Sequence, residues 1–136
     1  MNTVFRTYLL PGLVFQSVII GGGYGNTAVN DWISISSGRR NRATSNFATS
    51  PGGYLNKVVG RYATVIGGSR NTATGKYSVS FGWYTRSASI RAAVFSFSGE
   101  GKTRVCRSLG DNTINVCTKK GFFINGLNLE TLVENQ

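Results

Sequence analysis

Short apolar segments recur along the chain, each rich in β-forming residues and bounded by glycine or by a Ser-Gly pair. Examples are Val18–Ile20, Ile33–Ile35 and the segments 62–66 and 77–81. Such segments predict short β-strands. A glycine pair, followed three or four residues later by an asparagine, suits a turn that needs positive φ, so these residues predict the corners between strands.

Alternate positions within each predicted strand differ in character. One set is small or aliphatic, as at Ile33 and Ile35 or at Ala63 and Val65. Because side chains alternate across a strand, the two sets are expected on opposite faces of the stack. The second set begins with an aromatic residue in each strand, namely Trp32, Phe47, Tyr62 and Tyr77 in turn.

A 15-residue period aligns several columns of the chain. One column contains Ala28, Ala43, Val58, Ala73 and Ala88. A second, the predicted turn column, contains Asn26, Asn41, Asn56, Asn71 and then Arg86. A third contains Gly23, Gly38, Gly53, Gly68 and then Trp83. This repeat predicts an all-β parallel solenoid of about five 15-residue coils.

Such a solenoid would be thin. Stacked coils advance only about 4.8 Å each, so five coils make a column of roughly 24 Å. A 15-residue coil also has too short a perimeter to enclose a full core of its own. Association between chains would stabilise the column, and the Ile/Val/Ala stripe is the expected contact between copies.

The segment VVGRYATVIGGSRNTATGKYSVSFG, residues 58–82, resembles the head repeat of trimeric autotransporter adhesins (the YadA-like head), which is also found in phage and viral fibres. The resemblance covers about residues 17–99. It implies a left-handed parallel β-roll, a homotrimer, binding on the outer face and no catalytic site. The period here is 15 rather than the family's common 14, and no membrane-anchoring β-barrel sequence follows the repeats. The expected role is therefore a virion component, such as a fibre, spike or minor capsid protein, with a bacterial cell-surface adhesin as the alternative.

Charge adds a second constraint, because 15 Lys and Arg stand against 5 Asp and Glu, giving a net charge of +10. No acidic residue occurs between Trp32 and Gly99. Such a surface attracts anions, so the expected partner is an acidic capsid or receptor surface or an anionic glycan. A basic nucleic-acid-binding module and a merely solvated basic surface are the alternatives. The candidate anion-binding residues are Arg39, Arg40, Arg42, Lys57, Arg61, Arg70, Lys76 and Arg86, with Tyr24, Tyr54 and Tyr84 expected at the register of Arg39.

Catalytic and cofactor chemistry is not expected. The chain has no His and few carboxylates, so a nucleophile would lack a base, and two Cys without His do not suggest a metal site. The sequence G-Y-G-N-T-A at 23–28 fits a dinucleotide fingerprint, but the same register recurs as a turn in later coils, so a corner is the preferred interpretation. Residues 1–16 are interpreted as an N-terminal arm, without a clear signal peptide and too short to insert into a membrane.

Residues 100–136 have a different composition and predict a C-terminal β-hairpin and a short helical neck. The segment 110–113, Gly-Asp-Asn-Thr, is a hairpin-turn signal that would place Cys106 opposite Cys117. A disulfide is then possible, and two free thiols are the alternative in a reducing compartment. Asn125-Gly126 signals a second tight turn. The predicted neck has Asn128 as N-cap and one apolar face formed by Leu129, Leu132 and Val133.

Overall fold

The computed structural model describes residues 1–5, 17–97, 105–119, 123–124 and 127–128. These residues form sixteen short strands and no helix. The strands are β1 (Thr3–Phe5), β2 (Ile19–Ile20), β3 (Thr27–Val29), β4 (Ser34–Ile35), β5 (Arg42–Ala43), β6 (Thr49–Ser50), β7 (Lys57–Val58), β8 (Thr64–Ser69), β9 (Thr72–Ala73), β10 (Val79–Trp83), β11 (Thr85–Ser87), β12 (Ala93–Ser96), β13 (Cys106–Arg107), β14 (Ile114–Cys117), β15 (Phe123–Ile124) and β16 (Leu127–Asn128).

Two seven-stranded parallel sheets make up the body of the protein. Sheet A has the order β1-β3-β5-β7-β9-β11-β13, and sheet B has the order β2-β4-β6-β8-β10-β12-β14. Each coil contributes one strand to each sheet, so the predicted all-β parallel roll is confirmed. The predicted five coils are present, and β12, β13 and β14 extend the stack beyond them. Its handedness and its trimeric state stay predictions.

The coil length changes from 15 to 14 residues within β8. Ser80 pairs with Val65, fifteen residues earlier, but Phe81 pairs with Gly67, fourteen residues earlier. A one-residue bulge therefore lies at Ile66, and bulges of this kind shift every later residue of the strand by one position. For this reason, the predicted assignment of three residues to the repeat columns is wrong, namely that of Trp83, Arg86 and Ala88. The residues that belong in those columns are Gly82, Thr85 and Ser87.

The core lies between the two sheets and is made by the small and aliphatic alternate positions. Ile33, Ile35, Ala63 and Val65 are at most 1% exposed in the single chain. The prediction that the Ile/Val/Ala stripe joins separate copies is therefore wrong, because the second sheet of the same roll already covers this stripe. Other members of this core are Ala28, Ala43, Ala48, Val58 and Ala73.

The corner asparagines form a buried ladder. The prediction that they adopt positive φ is wrong, because that conformation falls on the second glycine of each pair, such as Gly53, and on the residue directly before the asparagine, such as Leu55. Asn41 is typical, since its Oδ1 accepts a hydrogen bond from the backbone N of Asn56 at 3.1 Å. Its Nδ2 donates to the carbonyl oxygens of Ser37 and Gly53, at 3.3 and 3.0 Å. The members of the ladder are Asn2, Asn26, Asn41, Asn56, Asn71 and Thr85.

At the C-terminal end, β13 pairs in parallel with β11 and β14 in parallel with β12. The segment 110–113 therefore connects sheet A to sheet B, and the antiparallel hairpin predicted there is wrong. The turn is held on the coil below, because the backbone N of Ile90 donates to Asp111 Oδ1 at 2.8 Å and the N of Asn112 donates to the carbonyl oxygen of Ile90. Because β13 and β14 each pair with a strand of the preceding coil, their backbone N–H and C=O groups find hydrogen-bond partners without pairing with each other.

Cys106 and Cys117 form a disulfide, the first of the two predicted alternatives, with a Cα–Cα distance of 5.9 Å. Because the two residues belong to β13 and β14, the bond joins sheet A to sheet B at the end of the described stack. Ile124 lies opposite Leu127 in the antiparallel pair β15–β16, as the second turn signal predicts. The turn residues themselves, the neck at 129–133 and most of the predicted arm lie outside the described residues.

Candidate binding surfaces

The roll has four sides, which are the outward faces of sheets A and B and the two corners between the sheets. The predicted cationic residues occupy three of these sides. Sheet A presents Arg42, Lys57 and Arg86 on its outward face. The remaining ones lie at the two corners between the sheets. Arg39, Arg40 and Arg70 belong to the corner that contains the positive-φ glycines, here called the glycine corner. Arg61 and Lys76 belong to the opposite corner, here called the aromatic corner because Trp32, Phe47, Tyr62 and Tyr77 lie on it.

The cations of sheet A form one row across neighbouring strands. The paired positions across neighbouring strands are Arg42 with Lys57, Lys57 with Thr72, Thr72 with Arg86 and Arg86 with Arg107. The four charged side chains are exposed, whereas the alternating residues point into the core. Sequence reasoning missed Arg107, because it lies 21 residues after Arg86 and outside the repeat period. These five residues are called the cation row below.

The glycine corner combines arginines with aromatic rings. Tyr24, Arg39 and Tyr54 bridge in parallel, as predicted, and the Arg39 guanidinium lies 5.9 Å from the Tyr54 ring centroid. Tyr84 does not belong to this column, because the bulge places Trp83 there instead, opposite Ser69. The guanidinium of Arg70 lies 5.7 Å from the Trp83 ring and 5.4 Å from that of Tyr84. These contacts occupy ring faces that a ligand would otherwise use.

The aromatic corner is a ladder of rings stacked on one another. Successive centroids from Trp32 to Tyr77 lie 6.0, 4.7 and 5.0 Å apart, with interplanar angles of 9 or 10°. All four residues have positive φ, between 56 and 62°, a strained conformation that the stacking helps to offset. Arg61 lies 5.1 Å from the Tyr62 ring and Lys76 lies 5.0 Å from the Tyr77 ring. The faces of the two inner rings, Phe47 and Tyr62, are therefore covered by their neighbours.

The outward face of sheet B has no charge. The tracts that build it, 33–38, 48–53, 63–68, 78–82, 92–97 and 113–118, contain no Asp, Glu, Lys or Arg. Towards the N-terminal end, the face begins with Ile19, which is 57% exposed, and continues with the small polar residues Ser34, Thr49 and Thr64 in the same register. Towards the C-terminal end it is apolar, with Phe97 63% and Ile114 75% exposed. Phe81 lies against Phe95 and Phe97, at centroid distances of 6.4 and 6.0 Å.

Three other features, a metal site, a membrane-spanning helix and a dinucleotide site, find little support in the part of the chain that the structure describes. No group of three or more His, Cys, Asp or Glu is placed there to hold a metal ion. None of its segments is a helix long and apolar enough to cross a membrane. In the dinucleotide-like sequence, Gly23 and Gly25 have positive φ at a corner and Ala28 lies in β3, so the turn interpretation accounts for it.

Comparisons with protein-family models, with curated proteins and with solved structures found no match to this chain. The likeness to adhesin and fibre heads therefore rests on the repeat and on the parallel roll. The arrangement of charge around that roll is the observation from which a function can be argued.

Proposed function

We propose that this chain is a non-enzymatic structural or attachment protein that assembles as a homotrimer, and that it serves as a virion component such as a fibre, spike or minor capsid protein. The single observation that carries the proposal is the charge distribution. Three sides of the roll bear cations, and the fourth side, the outward face of sheet B, bears none. One side is suited to contact between copies and the others to contact with an acidic partner.

Repulsion between copies restricts how they can associate. Each chain carries a net charge of +10, and close approach of two basic sides is unfavourable at ordinary salt, where the Debye length is about 8 Å. Sheet B is the side on which approach brings no like charges together. Its exposed apolar residues, Ile66, Phe97 and Ile114, also gain from burial. Three parallel copies with sheet B towards a common axis would direct every cation row outward.

The remaining sides support an attachment role rather than catalysis. The chain has no His, and Asp111 is engaged in holding a turn through its bond to the Ile90 N–H. Between Trp32 and Gly99 no acidic side chain is present to neutralise the cations of the roll. A rigid stack that repeats the same basic groups along its length is suited to holding an anionic surface by many weak contacts.

The test compares two substitutions in one coil. Thr64 of β8 and Thr72 of β9 are both half-buried on outward faces, the first on sheet B and the second on sheet A. Thr64→Lys and Thr72→Lys add the same charge. Light scattering should give about three times 14.7 kDa for the wild type and for Thr72→Lys, and a single-chain mass for Thr64→Lys.

A wild-type mass of one chain would overturn the homotrimer. A Thr64→Lys variant that keeps both the trimeric mass and the wild-type circular dichroism would show that sheet B is not the contact. If Thr64→Lys loses its β-sheet spectrum, Thr64→Cys replaces it. Oxidation should then join Thr64→Cys chains into covalent dimers, which migrate as such without reductant, and leave the matched Thr72→Cys chains single. Failure of Thr64→Cys to join would contradict the shared axis.

A further inference from the structure

We propose that the cation row, Arg42, Lys57, Thr72, Arg86 and Arg107, binds a linear sulfated or carboxylated polysaccharide. The inference rests on the proposed attachment function and deepens it, because it names the ligand class and the residues that bind it. The row is defined by strand register rather than by sequence period, since Arg107 lies beyond the repeats.

The row contains like charges at directly opposed positions. Arg42 opposes Lys57, and Arg86 opposes Arg107, on adjacent parallel strands that are about 4.8 Å apart. Like charges at such positions destabilise a sheet. The fold does not require them, because Thr27 and Thr72 occupy equivalent positions. A polyanion along the row would remove this repulsion, so the arrangement is costly without a ligand and favourable with one.

The dimensions of the row fit an extended polymer. Four steps between strands separate Arg42 from Arg107, which places about 19 Å between the ends. The cations occur in two pairs, and uncharged Thr72 lies between them. Charges at paired positions on successive strands match anionic groups repeated along one edge of a chain, and the Thr72 hydroxyl can bond a sugar hydroxyl between the charged positions.

Surrounding aromatic residues favour a polysaccharide over a single-stranded nucleic acid. Proteins that bind single strands without sequence preference stack bases on open aromatic faces. The cation row has no aromatic member. The stacked rings of the aromatic corner cover one another, and arginines lie over Tyr54, Trp83 and Tyr84 at the glycine corner. Tyr24 is exposed, but it lies at the glycine corner and not in the row. Charge and hydroxyl contacts remain, and these are what a sulfated or carboxylated glycan uses.

The test measures binding of the intact protein to immobilised heparin, with single-stranded DNA as a parallel probe. Lys57→Gln/Arg86→Gln removes two charges from the row. Arg61→Gln/Lys76→Gln removes one Arg and one Lys from the aromatic corner and is the matched control. At about 0.15 M salt the row variant should bind heparin at least about tenfold more weakly, with a salt slope lower by roughly 2, and the control should stay within about threefold.

A third variant separates a loss of binding from a loss of stability. Thr72→Glu places a carboxylate between Lys57 and Arg86, so it should weaken heparin binding while raising the free energy of unfolding. Equal losses in the two double variants, or no binding by the wild type, would overturn the inference. If the wild type binds DNA more tightly than heparin, and Lys57→Gln/Arg86→Gln loses that DNA binding, the row binds nucleic acid. That result would also overturn the inference. Light scattering on the same samples reports whether each variant is still a trimer. A loss of heparin binding can therefore be distinguished from a loss of trimer assembly.

Discussion

Asn56 lies in the middle of the asparagine ladder, and its replacement by alanine removes three hydrogen bonds. Its Oδ1 accepts from the backbone N of Asn71 at 3.0 Å. Its Nδ2 donates to the carbonyl oxygens of Gly52 and Gly68, at 3.0 and 3.1 Å. The side chain therefore joins its own coil to the next one, and the residue is only 1% exposed.

The expected loss follows from those bonds. The Gly68 carbonyl keeps a bond from the Tyr54 N, at 3.0 Å, but the Asn71 N–H loses its acceptor. Three bonds at a net value of about 1 kcal/mol each, with one buried donor left unpaired, give a loss of about 4 kcal/mol in the free energy of unfolding. Asn56→Asp should cost at least as much, because a carboxylate oxygen would face the two carbonyl oxygens to which Nδ2 donates.

Urea unfolding followed by circular dichroism measures this loss, at fixed protein concentration because association contributes to apparent stability. Asn46→Ala is the matched control. Asn46 is half-buried at the aromatic corner and takes no part in the ladder, so its replacement should cost less than about 1 kcal/mol. Equal losses for Asn56→Ala and Asn46→Ala would show that the ladder bonds of Asn56 do not stabilise the roll.

Three further predictions concern stability and are checked by thermal or urea unfolding. Gly53→Ala should cost about 3 kcal/mol, because Gly53 has φ 96° and a Cβ would clash with a carbonyl oxygen of the next coil, whereas Gly52→Ala has space and should be close to neutral. Ser78→Ala should stabilise by about 1 kcal/mol, because the Ser78 hydroxyl is buried without a hydrogen-bond partner; a destabilised variant would contradict this. Reduction of Cys106–Cys117, which are 11 residues apart, should cost about 2–3 kcal/mol, and an unchanged midpoint with reductant would contradict it.

The repeat allowed the strands, the corners and the inward set of residues to be predicted, because each depends on local pattern. The bulge at Ile66 was missed. Its effect is a shift of one residue, and Ala88 fits the alanine column of a 15-residue alignment better than the true member, Ser87. Only the glycine column carried a signal, because Gly82 continues it and Trp83 does not. The buried role of the asparagines was also missed, because tolerance of positive φ and hydrogen bonding between coils select the same residue type at a corner.

The candidate surfaces were predicted as residues but not as an arrangement. The cationic residues were named from composition, yet their separation into a row and two corners depends on strand register. Arg107 had no periodic signal, because 21 residues separate it from Arg86. The uncharged face of sheet B was visible in the sequence only once the tracts that build it were known to lie side by side.

A crystal structure of the assembled protein would show how the chains are arranged. We expect three parallel chains with the outward faces of sheet B, including Thr64 and Phe97, towards a common axis. We also expect the cation row from Arg42 to Arg107 on the outside. A lone chain, or an assembly joined through sheet A with the cation row buried between copies, would rule out this arrangement.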